Sequence, residues 1–145
     1  MLTREEACAQ LRSVGLRATE PRIAILSHLV GNKTHPTVAQ IHAHVQALLP
    51  KLPEITVYRT LDALMRNKLL VGVHGSNQGW RFDPDTSPHA HAVCHECGEV
   101  WDVMKEVRAV LGPMPEGFDA VYTEVAVIGT CQKCRDNAST SIAVA

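Results

Sequence analysis

Residues 54–83 read EITVYRTLDALMRNKLLVGVHGSNQGWRFD, and within this stretch the apolar spacing changes from helical to strand-like. Ile55, Tyr58, Leu61, Leu64 and Met65 recur at helical spacing, which predicts a helix from Glu54 with these side chains turned inward and Asn67-Lys68 at its end. LLVGVH (69–74) and WRFD (80–83) then flank the turn GSNQG (75–79), so a two-stranded hairpin follows the helix. Upstream, Pro50 and Pro53 bracket a break. Thr37 with Gln40 makes a capping box for a helix that aligns Val38, Ile41, Val45 and Leu48. Thr19 opens another helix, carrying Ile23, Leu26, Leu29 and Val30 and ended by Gly31-Asn32. Residues 4–14 form a first amphipathic segment through Ala7, Leu11 and Val14, closed by Gly15.

Helices followed by a hairpin is the order of a winged helix-turn-helix, in which the last helix enters the major groove and the hairpin lies beside the phosphates. The predicted fold class is α+β. A winged-helix domain spans 1–83, a hinge spans 84–88 within DPDTSPHAH (83–91), a small α/β domain spans 89–136, and 137–145 form a flexible tail. In the second domain AVCHECGEVWDV (92–103) and AVYTEVAVIGTC (120–131) read as strands, with MKEVRAVLG (104–112) as a short helix between them. There are no internal repeats.

The formal net charge of -1 hides an uneven distribution. Residues 1–70 hold nine Lys/Arg against five acids, and residues 71–145 hold five against ten. A basic half joined to an acidic half that owns four of the five cysteines suggests a polyanion-binding module attached to a cation-binding one. No apolar run approaches the roughly 20 residues needed to cross a bilayer. The start, MLTREEACAQ, carries acids where a secretory signal carries an apolar stretch, so the expected location is the cytoplasm.

In that reducing compartment the cysteines read as metal ligands rather than disulfides. Cys94/Cys97 and Cys131/Cys134 are two Cys-x-x-Cys turns, each able to place two sulfurs about 2.3 Å from one Zn²⁺. Together they complete a closed tetrahedron, which makes the site structural. Two disulfides, or a redox dithiol, are the competing readings. A second constellation, His35, Asp83, His89, His91 and Asp102, contains no thiol. Three imidazoles and two carboxylates suit Fe²⁺, Mn²⁺ or Zn²⁺, and they would come from both domains and the hinge. His89 and His91 alternate and so point to one side.

GLRATEPR (15–22), HPT (35–37), ITVYRTL (55–61), RFD (81–83), HAHAVCHECG (89–98) and GTCQKC (129–134) together resemble the ferric uptake regulator (Fur) family of bacterial metalloregulators. The resemblance implies a homodimeric repressor with a winged-helix DNA-binding domain and a C-terminal dimerisation domain. It implies zinc on Cys94, Cys97, Cys131 and Cys134, and a regulatory ion, Fe²⁺ or Mn²⁺, on His35, Asp83, His89, His91 and Asp102. Aspartates at positions 83 and 102 are similar to the peroxide-sensing (PerR) branch, in which bound Fe²⁺ reacts with hydrogen peroxide and a coordinating histidine is oxidised. A repressor of iron or manganese homeostasis with the same ligands is the alternative. An additional site of the iron branch has no counterpart, since Pro88 and Ala90 stand at two of its places and the last strand lacks a histidine. VHGSNQGWRFD lacks the cysteine of zinc-sensing relatives.

The expected partner is double-stranded operator DNA. Thr56, Tyr58, Arg59 and Thr60 lie near the start of the fourth helix, and Arg17 precedes the second, placed to reach a minor groove. The competing reading packs Tyr58 in the core and leaves Arg59 as a solvated charge. Cys8 reads as a small apolar packer. His28, His42, His44, His74 and His95 read as surface residues, and Trp80 and Trp101 as core or hinge cover. No membrane partner is expected, nor a substrate beyond the metal ion and peroxide. A zinc hydrolase using the histidine cluster is a distant reading, because no general base is placed for it and no nucleophile-base grouping appears elsewhere, so the chain is not expected to be an enzyme.

Overall fold

The computed structural model describes residues 2–75, 79–103, 112–120 and 123–142, with side-chain environments as far as residue 138. The chain divides into two compact units: apart from residues 75–77, the first runs to Thr86, and the second begins at Ser87, inside the span read as a hinge. No helix among the described residues is long and apolar enough to cross a membrane.

The first unit is built from α1 (Arg4–Ser13), α2 (Glu20–Leu29), α3 (Val38–Leu48) and α4 (Glu54–Arg66), followed by β1 (Val71–His74) and β2 (Trp80–Asp83). The strands pair antiparallel, with Gly72 opposite Phe82 and His74 opposite Trp80. Two helix starts are fixed by capping boxes: the Thr3 and Thr37 hydroxyls accept the N–H of Glu6 and Gln40, whose side chains reach back to the cap N–H. Helix α4 has Pro53 at its cap and no such side-chain bond. Its approach is held instead by His42, whose Nε2 lies 2.9 Å from the Leu52 carbonyl. A carbonyl only accepts, so the proton is on Nε2.

One apolar cluster unites the unit, including Leu11, Ile25, Leu26, Leu29, Ile41, Val45, Val57, Leu61, Leu64, Leu70 and Phe82. Cys8 packs against its margin, as a small apolar residue would. Three expected core positions are corrected. Leu48, Ile55 and Tyr58 are 64%, 55% and 51% exposed. On α4 the inward stripe is Val57, Thr60, Leu61 and Leu64, while Ile55 and Tyr58 lie one step around the helix. Trp80 and Trp101 are also exposed rather than buried as core. Gly72 lets the Trp80 ring lie across the hairpin, since a Cβ there would stand 2.8 Å from that ring.

The second unit carries β3 (Ala90–Cys94), β4 (Val100–Val103), β5 (Ala126–Gly129) and α5 (Gln132–Ile142). The sheet order is β4-β3-β5, antiparallel on one side of β3 and parallel on the other. The stretch 92–103, read as strand, is two strands separated by a turn at Gly98, whose φ of +70° suits glycine. Residues 137–142, expected within a flexible tail, continue α5. The short helix expected at 104–112 falls almost wholly outside the described residues, as do 76–78 of the hairpin turn and 121–122 of the last expected strand.

Candidate metal centres and nucleic-acid interface

Cys94 ends β3, Cys97 lies on the turn after it, Cys131 immediately precedes α5, and Cys134 is in that helix's first turn. The four sulfurs all lie within 4.8 Å of one another, and none is in a disulfide. Cys97 Sγ is 3.9 Å from Cys131 Sγ, close to the edge of about 3.8 Å that a tetrahedron of Zn–S bonds requires. The donor set therefore fits a closed zinc site. Two bonds tie the turns together: the His95 N–H donates to the Gly129 carbonyl, and His95 Nε2 lies 2.9 Å from the Thr130 hydroxyl. The N–H groups of Cys97 and then Cys131 point at Cys94 and draw its thiol down to about 6. The Cys131 thiol beside Cys134, with burial, pushes Cys134 up to about 12.

In the first unit His35 and Asp83 stand together. Both are 1% exposed, and His35 Nε2 is 3.6 Å from Asp83 Oδ2. His35 lies in the loop between α2 and α3 with φ of +47°, the left-handed region that costs a non-glycine residue about 1–3 kcal/mol. The loop is over-determined: Asn32 Oδ1 accepts the N–H and hydroxyl of Thr34, the Phe82 N–H donates to the Pro36 carbonyl, and Thr37 bridges Arg81. Asp83 ends β2 and accepts the Asp85 N–H at 2.9 Å.

In the second unit His89, His91 and Asp102 stand together. His91 sits opposite Asp102 in the β3–β4 register. Asp102 Oδ1 is 3.5 Å from His89 Nε2 and 3.9 Å from His91 Nε2, and the two Nε2 atoms are 2.9 Å apart. The His89 Nδ1–H donates to the Ser87 carbonyl at 2.8 Å, which turns Nε2 toward His91 and Asp102. Metal-ligating histidines are oriented in this way. The imidazole and carboxylate donors of each unit fit a borderline divalent ion.

Among the residues expected to meet DNA, Arg17, Tyr58 and Arg59 are exposed and Thr56 is half-buried. Thr60 is corrected: it is 4% exposed and faces the core with Val57 and Leu64, out of reach of a base edge. Sequence reasoning passed over Arg81, which is buried and donates from Nη1 to the His35 carbonyl at 3.1 Å. It also passed over the stack of His28 on His44, with ring centroids 3.8 Å apart. Nothing in local spacing marks either contact, because each joins elements distant in sequence.

The profile of the ferric uptake regulator family matches residues 13–125. The peroxide-responsive repressor PerR of Staphylococcus aureus is 32% identical over 139 residues, 91% of each chain. Among solved structures, the Helicobacter pylori ferric uptake regulator Fur aligns with a TM-score of 0.69 at 18% identity, covering 92% of this chain and 94% of that one. PerR from Streptococcus pyogenes aligns with a TM-score of 0.51 at 23% identity, over 92% and 94%. The structural likenesses carry the fold. The family profile spans most of the sequence and the staphylococcal relative is matched nearly end to end, so the chain belongs to the ferric uptake regulator family.

Proposed function

We propose that the chain is a cytoplasmic, metal-dependent transcriptional repressor that binds operator DNA as a homodimer. Zinc on Cys94, Cys97, Cys131 and Cys134 is structural. An exchangeable Fe²⁺ or Mn²⁺ is regulatory, with His35 and Asp83 of the first unit and His89, His91 and Asp102 of the second as its ligands. One observation carries the reading: the chain holds donor sets of two chemistries, four thiols gathered within 4.8 Å of one another and, in each unit, imidazoles set beside an aspartate. Arg17, Thr56, Tyr58 and Arg59 face the DNA. A second copy covers β5, whose Val127 and Ile128 are 61% and 59% exposed.

The regulatory ligands link metal to DNA by population shift: an ion that prefers one arrangement of the units favours the operator-binding form. Aspartates at 83 and 102, together with the staphylococcal relative named a peroxide-responsive repressor, support hydrogen peroxide as the signal. Fe²⁺ in such a site supplies the redox chemistry that turns peroxide into an oxidant of a neighbouring histidine. The chain's own part is to orient the imidazoles, as the Ser87 carbonyl does for His89 through its Nδ1–H.

Asp83→Ala and His89→Ala are expected to abolish metal-dependent operator binding in a gel shift while leaving the dimer and its zinc intact. Full metal dependence in both variants would overturn the ligand assignment. In the Fe²⁺ form treated with peroxide, mass spectrometry is expected to find one added oxygen on a peptide carrying His35, His89 or His91. Its absence favours iron or manganese homeostasis through the same ligands.

A further inference from the structure

We propose that Arg81 is a positioning residue for the regulatory metal: its buried guanidinium holds the His35 backbone in the left-handed conformation that sets the imidazole beside Asp83. The inference rests on reading His35 as a ligand. Arg81 is 7% exposed on β2, on the face opposite to that of Phe82, which packs into the apolar cluster. A buried arginine is costly unless hydrogen-bonded, and its Nη1 donates to the His35 carbonyl at 3.1 Å. The neighbouring groups of the loop are held by strand-like bonds instead, through the Pro36 carbonyl to the Phe82 N–H and through the bridge at Thr37. His35 is thus the loop residue whose backbone is bonded to the arginine side chain, and it is also one with a strained φ.

Without that donor the carbonyl loses this charge-assisted bond and the φ of +47° loses a restraint. Relaxation to a negative φ redirects Cβ and carries the imidazole away from Asp83. Positioning and field effects have opposite signs. A cation this close to a cation site disfavours metal through its charge alone, so removing the charge would tighten binding. Removing the positioning bond weakens it.

The test uses the full zinc-loaded chain and Mn²⁺, with the free ion followed by electron paramagnetic resonance. Arg81→Met is expected to raise the Mn²⁺ dissociation constant about tenfold, as loss of a group that orients a ligand does. Arg81→Lys, which keeps a donor, is expected to recover most of that loss. In a His35→Ala background Arg81→Met is expected to add nothing, because it acts through His35. Unchanged Mn²⁺ affinity in His35→Ala would overturn the ligand reading itself. Weakened binding in His35→Ala, with Arg81→Met tightening, unchanged or fully additive, would overturn the role of Arg81 alone. Zinc content and thermal melting report folding. Should Arg81→Met not fold, a folded Arg81→Lys decides: affinity near the parent supports the proposal, and affinity as low as His35→Ala overturns it.

Discussion

Cys94 Sγ receives the Cys131 N–H at 3.3 Å, and this bond together with that of the Cys97 N–H draws the thiol from 9.0 to about 6. The bonds strengthen when the sulfur is ionised, so they favour the thiolate that a metal needs. The sign of the linkage follows. In zinc-free protein the contribution to folding is complete above the ordinary thiol value of 9.0, shrinks as pH falls, and is gone below about 6. Cys134, at about 12, keeps its proton until an ion displaces it. Because these bonds exist in the folded, zinc-loaded turns, the depression acts on metal loading: zinc release to a chromogenic chelator is expected to rise as pH falls through about 6, where protons begin to compete for Cys94. Release unchanged between pH 8 and pH 5 would contradict the assignment.

Helix α4 separates its two tasks by face. Val57, Thr60, Leu61 and Leu64 are buried, while Tyr58 and Arg59 are exposed near its start. Leu61→Ala is therefore expected to cost about 3 kcal/mol of stability through lost burial and a cavity. Tyr58→Ala is expected to change stability by under about 0.5 kcal/mol and to weaken operator binding about tenfold. Urea melts and gel shifts of both variants check this, and a Tyr58→Ala loss as large as that of Leu61→Ala would place Tyr58 in the core. The helix itself was legible in the sequence, as were the capping box at Thr37 and the hairpin, because each is written in residues a few positions apart. Its inward face was not legible, since Ile55/Tyr58 and Val57/Leu61 are adjacent apolar stripes and only tertiary packing chooses between them. The two Cys-x-x-Cys pairs are local in the same way, whereas His35, Asp83, His89, His91 and Asp102 are spread along the chain. The support of Arg81 was not legible, since it bonds a carbonyl 46 positions away.

At the scale of the whole chain, the two units are stabilised by different means. The apolar cluster of the first unit draws on four helices and the hairpin. Among the described residues of the second, the buried apolar side chains are Ala90, Val93, Cys94 and Val100, all on β3 and β4, while β5 is exposed throughout. Zinc on the Cys94–Cys97 and Cys131–Cys134 turns would tie the end of β3 to the start of α5, and metal binding energy there acts as folding energy. Chelating the zinc is therefore expected to unfold the second unit and spare the first. The tryptophans report each separately, because Trp80 is on β2 and Trp101 on β4. In Trp80→Phe, chelation is expected to red-shift the emission of Trp101 and erase its thermal transition. In Trp101→Phe, Trp80 is expected to keep a cooperative melt close to that of the zinc-loaded protein. A Trp80 transition that collapses with the metal would mean the units fold as one, and the four thiolates would then be stabilising the helical unit as well as the sheet.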